Sequence, residues 1–258
     1  MQKTNINWAD MVWNPITGCT KVNQGCKFCY AEGIANRFWK DRKFTDVQFH
    51  PERLNDKKLN SKKSVRIFVN SMSDLFHESL SFEIIEQIYD VIFDQLINYP
   101  QHTFLILTKR IQRAREFYEW MHMENRNTGW ENIWLGYSAS TQKDLEIGIN
   151  DLFRINAKVR WLSLEPLLEP IDLFKADCLN RGFSCEKIAW VVVGCESGSK
   201  RRECKNRWID EIKTDCSDAN VPLWIKQIQD EKNNVIEDVN LFPKELQKRE
   251  LPIKFVKI

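Results

Sequence analysis

Cys19, Cys26 and Cys29 fall within eleven positions of one another in the stretch GCTKVNQGCKFCYAE, residues 18–32. The last two form Cys-x-x-Cys, a spacing that brings two thiolates to one metal centre. Gly18 and Gly25 can bend the loop so that the first cysteine returns to the other two. Three thiolates are one short of a closed zinc site and an odd number for disulfides. Three readings are open. An iron–sulfur cubane with three protein ligands leaves one iron free for a small molecule. A zinc site needs a fourth ligand, for which His50 is the nearest candidate, and plain buried thiols need none. Cys178, Cys185, Cys195, Cys204 and Cys216 form no further Cys-x-x-Cys pair and read as small buried hydrophobes rather than a second cluster.

The other residues able to do chemistry follow short apolar runs. RIFV is followed by Asn70-Ser-Met-Ser-Asp74, FLIL by Thr108-Lys109-Arg110, and IWLG by Tyr137-Ser138. RWLSL ends in Glu165-Pro166, WVVVG (with Gly194 as its last residue) leads to Cys195-Glu196, and LWI leads to Lys226-Gln227. Polar residues at strand ends often just cap the next helix. Glu165 and Glu196 are the stronger functional candidates, because a carboxylate beside a core is costly without a partner or a task.

The elements that must position these residues are legible. RIFVN (66–70), TFLIL (103–107), NIWLGYS (132–138), KVRWLSL (158–164), KIAWVVVG (187–194) and PLWIK (222–226) are apolar at nearly every position, as strands buried on both faces are. Between them, residues 81–100 place Phe82, Ile85, Ile88, Ile92 and Leu96 on one helical stripe, with Ser81 as N-cap and Pro100 beyond the end. Residues 140–155 and 205–216 repeat the pattern, and 110–122 do so more weakly. Strands alternating with helices predict a parallel sheet. With one more strand near Val12–Gly18, the expectation is about seven βα units: an α/β fold, a full or partial (β/α) barrel with parallel strands, in a single domain over residues 1–258. Catalytic groups of such folds sit at the carboxyl ends of the strands, where the cysteine loop also falls.

The segment 40–66 is polar, basic and without period. It reads as a long loop, with solvation the ordinary role of such charge and phosphate binding the alternative. The tail after Lys226 is charged and weakly patterned. A net charge of +2 gives no global drive toward nucleic acid. No apolar run reaches membrane-spanning length, and the N-terminus lacks the pattern of a secretory signal, so a cytoplasmic protein with reduced thiols is expected.

The segments WNPITGCTKVNQGCKFCYAE, FVNSMSDLFHE, TFLILTKR, LSLEPLLEPIDL, WVVVGCESG and IKQ, in order from about residue 8 to 227, resemble the phage- and mobile-element-associated three-Cys-motif family. The loop itself, with Phe28 just before the last thiol, resembles the radical S-adenosylmethionine (SAM) superfamily. The first cysteine spacing is six residues here and three in most of that superfamily. Ser71-Met-Ser-Asp74 stands where a Gly-Gly-Glu stretch is common, and Gly194-Cys195-Glu196 where the narrower family tends to show Gly-Gly-Glu.

The resemblance implies a radical-SAM-like barrel in which Cys19, Cys26 and Cys29 ligate a [4Fe-4S] cluster whose open iron chelates SAM. One electron from a reductant such as flavodoxin or ferredoxin would cleave the cofactor, and the resulting 5′-deoxyadenosyl radical would take hydrogen from a substrate. It places Phe28 against the adenine, Asp74 at the SAM amine and Lys109 or Arg110 at its carboxylate, with Ser138 and Gly194 in the same cofactor site. Glu165, Glu196 and Lys226 would face ribose or substrate. A modified base or nucleic acid is the candidate substrate, with the basic loop and Lys200-Arg201-Arg202 as candidate phosphate contacts. The competing class is a zinc- or cluster-stabilised, non-catalytic binding component acting with a three-Cys-motif partner protein.

Overall fold

The structure is a computed structural model that describes residues 1–179, 188–198 and 200–252. In chain order its elements are β1 (Gln2–Lys3), β2 (Met11–Trp13), β3 (Ile16–Thr17), α1 (Tyr30–Phe38), β4 (Gln48–Phe49), β5 (Arg66–Val69), α2 (Phe82–Asn98), β6 (Thr103–Thr108) and α3 (Ile111–Met123). There follow β7 (Ile133–Ser138), α4 (Gln142–Arg154), β8 (Val159–Leu164), β9 (Trp190–Gly194), α5 (Asn206–Asp218), β10 (Leu223–Gln229) and β11 (Val235–Ile236). The predicted helices and strands are present to within a few residues at their ends, except that the strand expected near Val12–Gly18 is split into β2 and β3, which belong to different sheets.

One nine-stranded sheet runs β1-β2-β5-β6-β7-β8-β9-β10-β11. The seven strands from β2 to β10 are parallel and follow chain order without a reversal, and β1 and β11 close the edges as antiparallel strands. Among the described residues β2 and β10 do not pair, so the sheet is open and no closed barrel forms.

Both faces of this sheet are apolar, which is why its strands read as unbroken hydrophobic runs. Ile67, Phe104, Ile106, Leu135, Leu162, Val191 and Ile225 join the core built with the helices. The alternate residues Phe68, Leu105, Trp134, Trp161, Trp190, Val192 and Trp224 form a second cluster on the opposite face, with Trp8 and Val12. The Trp8 ring lies 4.8 Å from Phe68 on β5, 5.4 Å from Trp161 on β8 and 6.3 Å from Trp190 on β9, centroid to centroid. In a flat sheet β5 and β9 would stand about 19 Å apart, four strand spacings. A single indole reaches both because the sheet curls around it. Asn7 fastens the same segment to β10, donating from its side chain to the Lys226 carbonyl at 3.1 Å and accepting from Trp224 Nε1 at 2.8 Å.

The segment 40–66 is more ordered than its polar composition suggests. β4 pairs antiparallel with β3, and Phe44 and Leu59 are buried. Isolated apolar anchors leave no periodic signal, which is why the sequence there looks like a solvated loop. The tail likewise buries Phe242 and Leu246.

Gly136 on β7 sets a test of the inner packing, because a Cβ there would lie 2.3 Å from the Trp161 ring. Gly136→Ala is expected to cost ~1–3 kcal/mol through overpacking, read as a lower urea midpoint. An unchanged midpoint would contradict the packing of Trp161 described above.

Candidate active site

Side-chain parity carries the inner tryptophans up to the candidate residues. On β7 the inner face reads Trp134, Gly136, Ser138; on β8 it reads Trp161, Ser163 and, just past the strand, Glu165. On β9 it reads Trp190, Val192, Gly194, and on β10 Trp224 leads to Lys226. Register aligns the tops of these strands, with Ser138 opposite Ser163 and Ser163 opposite Val192. An apolar floor therefore gives way to polar groups only at the carboxyl rim.

These groups are wired together. Lys226 Nζ is 2.9 Å from Glu165 Oε1, and a Cβ on Gly194 would stand 3.1 Å from the same oxygen, so glycine leaves room for the carboxylate. Ser163 Oγ donates to Glu165 Oε2 at 3.3 Å. The Glu165 carbonyl accepts from Ser138 Oγ at 3.2 Å, and Lys109 Nζ donates to Ser138 Oγ at 2.6 Å. Burial pulls the Lys109 ammonium below its usual range, against an upward pull from Cys26, Asp144, Asp74 and Cys29.

Asp74, after β5, is the hub on the other side of Lys109. Its Oδ1 accepts from Phe76 N at 3.0 Å and Thr108 Oγ1 at 2.8 Å; its Oδ2 accepts from Lys109 N at 3.0 Å and Arg110 Nη1 at 3.4 Å. A carboxylate offers about four acceptor positions, and protein donors fill them all. The SAM-amine role that the resemblance gives Asp74 would require one of these donors to yield. Arg110, buried beside it, also holds Glu78 at 2.8 Å and the Thr20 carbonyl at 3.0 Å, and its Nη1 approaches Cys19 Sγ at 3.6 Å. His77 Nε2 meets Thr20 Oγ1 at 2.8 Å.

The cysteine loop lies across this rim. Gly18 takes a positive φ of 94°, and a Cβ there would lie 2.3 Å from the Asp46 carbonyl, so the turn into the loop requires glycine. Gly18 N donates to Met72 O at 3.0 Å and Cys19 N to Phe44 O at 2.9 Å. Gly25 packs so tightly on Ser140 that a Cβ would lie 2.1 Å from its Oγ. Arg202 Nη2 donates to Gln24 O at 2.9 Å while its guanidinium lies 5.4 Å from the Phe28 ring. The loop thus touches residues that follow β5, β7 and β9.

The three thiols are partly buried. Burial pushes Cys19 up to about 12, with Asp74 adding to the rise and Arg110 opposing it, and burial raises Cys29 as well. Among the described residues no three metal-ligating side chains are gathered tightly enough for a single ion. A cubane asks for a different arrangement, because its thiolates bind separate irons. His50 does not complete a zinc site with them: its Nε2 is 2.7 Å from Thr17 Oγ1 and its Nδ1 faces Glu52 at 3.4 Å. The donor set, with the cations Arg110 and Lys109 close by to balance thiolate charge, fits a thiolate-ligated group.

Glu196 stands apart from the wired rim. Arg202 grips it with Nε at 3.0 Å, its own backbone N–H at 2.8 Å and a further contact from Nη2. Arg201 is also engaged, with Asn233 O at 2.5 Å and Gly198 O at 2.9 Å, so two of the three cations in Lys200-Arg201-Arg202 are spent inside the chain. Cys178, Cys195, Cys204 and Cys216 are buried, and burial pushes Cys195 up to about 12; Cys185 lies outside the described residues. Thr20, His77, Glu78, Ser140 and Ser163 join or flank the network without having been singled out from sequence. The available signal was Asp74-x-x-His77-Glu78, three ionisable residues just after a buried strand.

These features define an open, mostly parallel α/β sheet with a cysteine-bearing loop over its carboxyl rim. The chain belongs to the family described as protein of unknown function (DUF5131), whose model matches residues 3–251. No curated protein and no solved structure matches it. Among the described residues no helix is long and apolar enough to cross a membrane.

The buried hub and the more open ion pair should differ in cost. Asp74→Ala, which takes the shared acceptor from Phe76 N, Thr108 Oγ1, Lys109 N and Arg110 Nη1 at once, is expected to lose ~3 kcal/mol of stability. Lys226→Ala, at the more open pair, should lose no more than about 1 kcal/mol. Equal urea midpoints for the two variants would remove Asp74 from its place as hub.

Proposed function

We propose that the chain is a radical SAM enzyme in which Cys19, Cys26 and Cys29 hold a [4Fe-4S] cluster. The observation that carries this reading is the cysteine loop lying over a rim where Lys109, Ser138, Glu165, Gly194 and Lys226 converge. When bound, the cluster would supply the electron that cleaves the sulfonium of SAM. The chain's own residues do the rest. Arg110 and Lys109 balance thiolate charge, and Lys109 is placed to meet a carboxylate. Glu165, held by Lys226 and Ser163, offers an acceptor to ribose or substrate hydroxyls. Phe28, steadied by Arg202, presents a ring beside the last thiol for a flat base. Asp74 positions Thr108, Lys109 and Arg110 rather than touching the cofactor. The tryptophan floor excludes water from below, which protects a reactive intermediate from side reactions.

A flavodoxin- or ferredoxin-type reductant and a cytoplasmic setting belong to the same proposal. So does a base or nucleic-acid substrate, although the engagement of Arg201 and Arg202 withdraws one of its supports.

Anaerobic reconstitution should load about four irons per chain, and reduction with SAM should release 5′-deoxyadenosine. Cys26→Ala should lose both. Iron content in Cys26→Ala equal to that of the parent chain would overturn the ligand assignment, and a colourless zinc protein from anaerobic purification would favour a non-catalytic binding module.

A further inference from the structure

Next to the cysteine loop, on the side of the first strands, a separate cavity of about 550 Å³ opens between α1 and the β3–β4 hairpin. It shares none of the strand-end groups of the candidate active site. Its polar lining includes Asn14, Thr17, Arg42, Gln48, His50 and Arg53, and among the described residues no aspartate or glutamate lines it. Val12, Trp13, Ile34 and Met72 give it an apolar wall.

Arg42 is set in place without being satisfied. Its guanidinium lies 3.7 Å from the centroid of the Trp39 ring, and its Nη2 donates to Thr17 Oγ1. The Thr17 hydroxyl, which accepts from the arginine, is also 2.7 Å from His50 Nε2. Arg42 Nη1 is buried and has no partner among the described residues. An unpaired buried donor is costly, a cost that an incoming anion would relieve. Arg53 spends Nη1 on the Asn14 carbonyl at 2.8 Å. Glu52, two-thirds exposed, is 3.7 Å from Arg53 Nε and 3.4 Å from His50 Nδ1. Asp46 accepts from Gln48 at 2.6 Å. Burial lowers Arg42 against an upward pull from Asp46, with Arg53 adding to the fall, and burial with Arg53 and Arg42 lowers His50 against an upward pull from Glu52.

We propose that this cavity binds a small phosphate ester, its phosphate taken by Arg42, Arg53 and His50 and its organic part resting on the apolar wall. A guanidinium fixed on an aromatic face with a free N–H suits the several acceptor oxygens of a phosphate. The volume lies within the range of small-molecule sites, about 300–1,000 Å³. An ester is favoured over a bare anion because the wall opposite the cations is apolar. The ester can arrive as a free mononucleotide or as the 5′ end of a strand, and the chemistry recognised is the same.

Calorimetry on the full chain, with no cluster required, tests this directly. Adenosine 5′-monophosphate should bind, and adenosine should bind at least about tenfold more weakly. Arg42→Gln and Arg53→Gln should each weaken the nucleotide about tenfold, and Lys213→Gln, on α5, should not. Circular dichroism checks the fold of each variant, and Arg53→Gln keeps the test decisive if Arg42→Gln does not fold. A 5′-phosphorylated oligonucleotide binding more tightly than the mononucleotide would identify a strand end as the source, and the reverse order a free nucleotide. Equal binding of nucleotide and adenosine, a folded Arg53→Gln that binds like the parent, or binding of inorganic phosphate alone would overturn the proposal. Cys26→Ala should bind the ester normally, so this site and the cluster stand or fall separately.

Discussion

The inner face of the sheet must be filled, and indoles fill it. Trp8 enters from the N-terminal segment and meets Trp161 and Trp190, while Trp134 and Trp224 pack against Trp190. An aromatic plug of this size forces the sheet to curl and leaves no space for polar groups until the strands end. The position of the candidate active site follows from that constraint. Lys109, Ser138, Glu165, Gly194 and Lys226 sit where they do because they lie at the carboxyl ends of the strands, above the plug.

Above that floor, a buried carboxylate organises charge. Asp74 collects donors from its own turn and from the end of β6, and Arg110 extends the network to Thr20 and Cys19 in the loop. A charge this deep is tolerable only when every acceptor position is filled. The same saturation explains why Asp74 serves better as a brace than as a ligand group. Glu196 follows similar logic at the periphery, where Arg202 uses it to fasten the segment after β9 to the cysteine loop.

Much of the fold was legible because a doubly buried strand leaves a plain mark: TFLIL, RWLSL and WVVVG have no polar position to spare. Helix α2 was equally plain from its stripe of isoleucines, with Ser81 at its start. Closure into a barrel was not legible, since pairing between β2 and β10 depends on curvature that no local pattern encodes. The segment 40–66 was read as solvated because Phe44 and Leu59 are isolated anchors. For the site, position just after a short apolar run made Lys109, Ser138, Glu165 and Lys226 visible. The commitment of Glu196 to Arg202, six residues on, was hidden because a charge pair of that spacing looks the same whether it closes a turn or faces solvent. Thr20 and Ser140 were hidden because their roles arise only where the loop crosses the rim.

The central claim is that three thiols leave one metal position open for a chelating small molecule. Electron paramagnetic resonance of the anaerobically reconstituted, reduced chain, recorded with and without SAM, tests it most directly. The account predicts a cubane signal whose shape changes when SAM is added, because the cofactor becomes a ligand of the open iron. A cubane signal indifferent to SAM would contradict it.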